Sequence, residues 1–241
     1  MLKEKKEIIK RALVLLAFAD RCALEKSVID GKKRSLVERE EQRIAIINWL
    51  SRMGYDESIT KKEKSIFNSQ ILDKPNIEIL SNQNYYECVE PLLWSLSLTE
   101  NLSYYDDYVL FDFHPLLNLG KNHSLSSIER RSNLLPESII QEKRELSMLW
   151  YWRSLENGKY ISSNVNYLNA VKKVFGEEHA RILKNSSEYD DQRGDFIVNN
   201  TSFKDLDDNT LKRIKIIAEK RFYTFEWLCT DSEWDEVNLV C

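Results

Sequence analysis

The sequence predicts a mainly α protein, a single helical domain of about seven to eight helices with at most a short β-hairpin or strand pair. Three observations carry that expectation. Glycine (6) and proline (4) are scarce for 241 residues, and few breakers favour helices over a turn-rich β sandwich. Apolar side chains recur at helical spacing in most segments. Hydrophobic residues make up 42% of the chain, enough to build a sizeable core.

The first helix is read in "KEIIKRALVLLAFADRCALEK". Ile9, Leu13 and Leu16 share one face, and Ile8, Ala12, Leu15 and Ala19 the adjacent one. The run Ala12 to Ala19 resembles the core of a signal peptide, but Glu4 and Glu7 sit in its charged flank. Asp20-Arg21 stands where small cleavage-site residues belong. The run is also too short to span a bilayer. A buried helix is the expectation. "DGKKRS" interrupts it, and Leu36 to Met53 reads as a second helix closed by Gly54.

Thr60 and Glu63 form a capping box for a short third helix through Phe67. Pro75 and "SNQN" mark a loop, and Tyr85 to Leu98 reads as a helix that Pro91 starts or kinks. Periodicity fails from Asn101 to Asn133, where a short strand or a long packed loop is expected. Long loops tend to be functional, so this segment is the preferred place for a binding surface, supported by the surplus of aromatics from Tyr104 to Phe113. Pro136 and Glu137 open the next helix, with Gly158 as its cap. Val165, Leu168, Val171 and Phe175 form another, ending at Gly176, and "EEHARILKN" continues beyond it. "DFIVNNTSF" is the best hairpin, with Asn199-Asn200 as the turn. Asp207 or Asp208 caps a last helix carrying Leu211, Ile214, Ala218, Phe222, Phe225 and Cys229. No repeat or linker divides the chain, so residues 1–241 read as one domain.

Composition also bears on function. Net charge is only −4, which is unlike the basic excess of a nucleic-acid binder. Cys22, Cys88, Cys229 and Cys241 are scattered, and read as reduced thiols of a cytoplasmic protein. The histidines are His114, His123 and His179, without metal-ligand spacing, so no metal and no cofactor are expected. Phosphate-binding glycine loops and the nucleophile elbow are absent from the sequence.

Candidate binding residues are Glu87, His114, Tyr151, Arg221 and Trp234. Glu87, on a largely apolar helix, needs a cationic partner, and Arg221 is preferred over Arg21. His114 is the best lone general base. Tyr151 is the member of the Trp150, Tyr151, Trp152 and Tyr160 cluster expected to face out. Trp234 and Val237 are expected to fold back as anchors of the closing stretch "FEWLCTDSEWDEV". Arg193-Gly194-Asp195 spells an adhesion tripeptide, read as chance.

"RALVLLAFADR", "NWL", "YECVEPLLWSL", "LWYWRSLE" and the closing "KRFYTFEWL" with "WDEV" together resemble the bacterial family catalogued as domain of unknown function 4272. The resemblance runs from roughly Arg11 to the end. Lys220-Arg221 departs from the family's Glu-Arg, and Tyr85 stands where arginine is common. The resemblance implies a mostly helical architecture and brings no catalytic role. The expected function is a non-catalytic protein-binding module of immunity or regulatory type in a bacterial cytoplasm. Its partner is another protein, with no nucleic acid or membrane involved and homo-oligomerisation left open. The alternative is an enzyme, a hydrolase with a site of scattered carboxylate, Arg and His residues.

Overall fold

The apolar run near the start of the chain becomes a central helix. The computed structural model describes residues 2–32, 35–73, 82–122, 124–155 and 166–240. In it α1 runs Lys5–Ile29, and every residue from Ala12 to Ala19 is at most 1% exposed. Apolar side chains all round a helix require cover on all sides. Here α2 (Leu36–Arg52), α3 (Lys61–Asn68), α4 (Tyr86–Ser95) and α6 (Ser124–Arg131) supply it. Both α2 and α3 open on capping boxes, Ser35 with Glu38 and the expected Thr60 with Glu63. Gly54 takes the left-handed conformation (φ +70°) just past α2, as a helix-ending residue without Cβ does most readily.

The helix α4 carries Pro91 inside it and continues to Ser95. Residues 101–113 contain neither helix nor strand. The rest of the expected irregular stretch holds α5 (His114–Leu117) and α6. Then come α7 (Glu137–Leu155), α8 (Tyr167–Phe175), α9 (Glu177–Asn185) and α10 (Asp208–Cys229), with Asp207 capping α10 through the Asn209 and Thr210 amides (2.9 and 3.1 Å). The described residues thus form ten α-helices, more than the seven to eight expected. The pattern missed α5 because it is a single turn, and α6 because it is short and mostly polar.

The expected hairpin is present and gains a third strand. β1 (Tyr189–Asp190), β2 (Asp195–Val198) and β3 (Thr201–Ser202) form an antiparallel sheet in that order. Tyr189 pairs with Phe196, and Val198 with Thr201. Asn199 (φ +48°) and Asn200 (φ +62°) make the turn, both in the left-handed region that a tight two-residue hairpin demands. Pro75, His123, Gly158, Tyr160, Val165 and Cys241 lie outside the described residues.

Two apolar cores share α10. Phe225, Trp227 and Leu228, near its end, pack into the core around α1 and α4. Ile214, Ile217, Ala218 and Phe222 pack with α7, α8, α9 and the sheet. In the second core Trp150 is sandwiched between Tyr105 (4.4 Å between centroids) and Phe196 (3.8 Å). No described helix is long and apolar enough to cross a membrane.

The closing stretch folds back as expected. Trp234 is 5% exposed and meets Tyr223 (5.1 Å) and Trp227 (5.4 Å) edge to face. The Arg11 guanidinium lies 4.3 Å over its ring, and the Tyr223 hydroxyl donates to its carbonyl. Replacing Trp234 with alanine should lower stability by more than ~2 kcal/mol, since deleting a buried aromatic costs about 3–5 kcal/mol. Urea unfolding checks this, and an unchanged midpoint would show that the tail does not anchor the fold.

Candidate functional site

Charge inside a protein must be paired and hydrogen-bonded. Glu87 and Glu90 lie on α4, and Arg221 on α10; all three are buried, with Arg221 fully so. Arg221 Nε and Nη2 donate to Glu87 Oε2 at 3.2 and 3.1 Å, and Nη2 stands 3.3 Å from Glu90 Oε2. This is the expected Glu87–Arg221 contact. Arg21 is committed elsewhere, to Glu25 at 3.0 Å and to the Ser69 and Gln70 carbonyls.

The triad's remaining bonds all reach one segment. Arg221 Nη1 donates to the Ser103 carbonyl, and Nη2 to the Tyr104 carbonyl (3.4 Å). Glu90 Oε1 accepts from the Ser103 amide (3.0 Å) and hydroxyl (2.5 Å). Glu87 Oε1 accepts from the Val109 amide (2.6 Å). Tyr105 lies under the guanidinium at 4.6 Å. The irregular stretch is therefore a packed loop pinned at both ends of residues 103–109.

Burial pushes the Glu87 carboxyl above the usual range, against the pull of Arg221 and the Val109 amide. Arg221 stays cationic: burial works against its charge, and Glu87, Tyr105 and Glu90 outweigh it. A site this closed to solvent orders backbone; it offers no reacting group to a substrate.

His114 belongs to a different cluster. Its Nε2 lies 2.9 and 3.0 Å from the two carboxylate oxygens of Asp20 on α1, and its Nδ1 lies 2.6 Å from Asp112. Tyr86 also donates to Asp20 at 3.4 Å. The Asp20 hydrogen bond, opposed by burial and aided by Asp112, raises the His114 pKa to about 9. At neutral pH the imidazole is a cation and lacks the free lone pair of a general base. The geometry is that of an ion-pair latch between α1 and the start of α5, with both ring nitrogens of the base candidate His114 engaged by carboxylates.

The other candidates are dispersed. Tyr151 does not simply face out: it is half-buried and tilted against Phe222 at 5.9 Å. Trp234 is an anchor. Asp195 of the adhesion-like tripeptide is buried on Arg153, with bonds of 2.9 and 2.8 Å. Burial pushes the thiols of Cys22 to about 12, and of Cys88 and Cys229 to about 11, so all three stay protonated. Among the described residues, no group of three or more His, Cys, Asp or Glu is placed to hold a metal ion.

Sequence reasoning missed Asp20 and Asp112 as partners of His114, and the Arg11–Glu63 and Arg153–Asp195 pairs. One signal was available. Arg11 and Arg21 flank the most apolar run of the chain, and arginines on a buried helix require acceptors.

Fold and site together define a helical protein in which a buried guanidinium–carboxylate network holds an irregular loop in place. The chain belongs to the family described as domain of unknown function (DUF4272), whose model matches residues 1–170. The match takes in "RALVLLAFADR", "NWL", "YECVEPLLWSL" and "LWYWRSLE"; the closing motifs, and with them Arg221 and Trp234, lie beyond it. Comparison with curated proteins and with solved structures returned no match.

Two outcomes are expected. Glu87→Ala strands much of the Arg221 charge and should cost about 3–5 kcal/mol, the range for breaking a buried pair. A urea-unfolding loss below about 1 kcal/mol would place the pair with weak surface bridges. For His114, a pKa raised on folding means that its latch stabilises fully below about 6.5 and is lost as pH rises through about 9. The melting-temperature gap between wild type and His114→Asn should therefore be widest below pH 6.5 and close above pH 9; a gap independent of pH contradicts the latch.

Proposed function

We propose that the protein is a non-catalytic binding module that docks another protein on residues 101–113. One observation carries this reading. Tyr104, Leu110 and Phe111 are 74, 89 and 55% exposed, yet they project from a backbone tied to the Glu87–Glu90–Arg221 triad at Ser103, Tyr104 and Val109. Their neighbours Tyr105, Val109 and Phe113 are buried and hold the loop to the cores.

Clustered exposed apolar side chains mark interaction surfaces. Holding them in one conformation beforehand removes ordering entropy from the cost of binding. The setting we infer is a bacterial cytoplasm, and the role an immunity or regulatory one, without nucleic acid or membrane. A hydrolase built on His114 is the weaker reading, because both of its ring nitrogens are engaged by Asp20 and Asp112 and it lies in a different cluster from Glu87 and Arg221.

A photo-crosslinking amino acid at position 111, expressed in the native cell, tests this. A discrete adduct with another protein is expected, and Leu110→Glu should abolish it without changing the circular dichroism. Recovery of the uncrosslinked protein alone, or an adduct that survives Leu110→Glu, would refute docking at this loop.

A further inference from the structure

We infer that a cavity between this loop and the β-hairpin is a socket for a cationic side chain of the partner, an arginine above all. The inference rests on the docking reading and names the chemistry that the partner must carry. The cavity measures about 260 Å³ and is lined by Tyr104, Asp106, Trp150, Glu188, Asn199 and Asn200, among others. Small-molecule pockets run from about 300 to 1,000 Å³. This one lies below that range and suits a single inserted side chain.

Its chemistry is anionic and aromatic. The described lining has two carboxylates and no Lys or Arg. Glu188 is held in place: Trp150 Nε1 donates to its Oε2, and its carbonyl accepts from the Ile197 amide (2.9 Å). Its Oε1 has the half-exposed Lys143 at 3.8 Å, a long pair that a guanidinium could displace. Asp106 Oδ1 accepts from the Asp107 amide (3.0 Å).

The rings of Trp150 and Tyr105 are occupied by stacking on each other, on Phe196 and under Arg221. The exposed ring of Tyr104 is the face left for a cation, and Arg221 holds the carbonyl of that residue. A planar guanidinium can lie on such a ring while donating to Glu188 Oε1, which a compact ammonium does less well. Besides Lys143, a cation just outside the lining is Arg193, whose Nη1 donates to the Asn200 carbonyl (2.6 Å).

The test uses the full chain with N-acetyl-arginine amide and its uncharged counterpart, N-acetyl-citrulline amide, followed by amide and indole NMR shifts. The arginine probe should saturably shift the Trp150 indole and the Asn199 and Asn200 amides. Citrulline should bind at least about tenfold more weakly, the scale for a hydrogen bond to a charged group. Glu188→Gln, which keeps an acceptor for Trp150, and Tyr104→Ala, at an exposed position, should each weaken the arginine probe severalfold. Equal binding of the two probes, no shift at these amides, or full affinity in Glu188→Gln overturns the socket. An adduct at position 111 with a silent socket removes this inference alone; a working socket with no adduct removes the docking reading instead.

Discussion

Arg221 is the point on which the structure turns. Its guanidinium sits where the two apolar cores meet along α10, fully enclosed, with two carboxylates of α4 and two carbonyls of residues 103 and 104 around it. Desolvating three ionised groups costs several kcal/mol each, so such a cluster persists only where nearly every polar atom finds a partner. The partners here include backbone amides and carbonyls of a loop with no secondary structure of its own. A stretch that would otherwise be free to sample many conformations is held by hydrogen bonds to buried charge.

The same device recurs away from the loop. Arg11 ties α1 to Glu63 and to the Ser58 carbonyl ahead of α3. Arg21 and Glu25 bind the Ser69 carbonyl and the Leu72 amide beyond α3. Arg153 on α7 clasps Asp195 of β2, whose carboxylate also accepts from the Phe196 and Lys204 amides. The first two ties fix the chain on either side of α3, and the third fixes the sheet to α7. Apolar packing sets which helices meet; the charge ties set where the chain between them runs. Removing one partner of such a tie leaves the other charge buried, which makes these positions intolerant of change.

Much of the fold is legible in the sequence because its signals are local. The Thr60–Glu63 box, the Asp207 cap, the Asn199-Asn200 turn and the periodicity of the last helix each need only a few adjacent residues. Glu87 is legible as a buried acid because its neighbours are apolar, and Arg221 only as one of two arginines that could pair with it. The remainder depends on distance along the chain. Asp20 and His114 are separated by 94 residues, and nothing near either announces the other. Asp195 reads as the end of a chance tripeptide, and only the sheet shows it buried on Arg153. The short helix Ser124–Arg131 has a polar sequence and takes its place through Ile128, buried in the core around α1.

The family match ends at residue 170, so Glu87 and Glu90 fall inside it and Arg221 outside. With its charges tied to Ser103, Tyr104 and Val109, the triad should make residues 103–109 as stable as the cores they join. Native-state hydrogen exchange at the Ser103 and Val109 amides tests it most directly, since these donate to Glu90 and Glu87. Exchange only through global unfolding, in step with amides of α1, is the predicted result. Exchange at the rate of the exposed Leu110 amide would mean that the loop opens locally, and that the buried charges do not hold it.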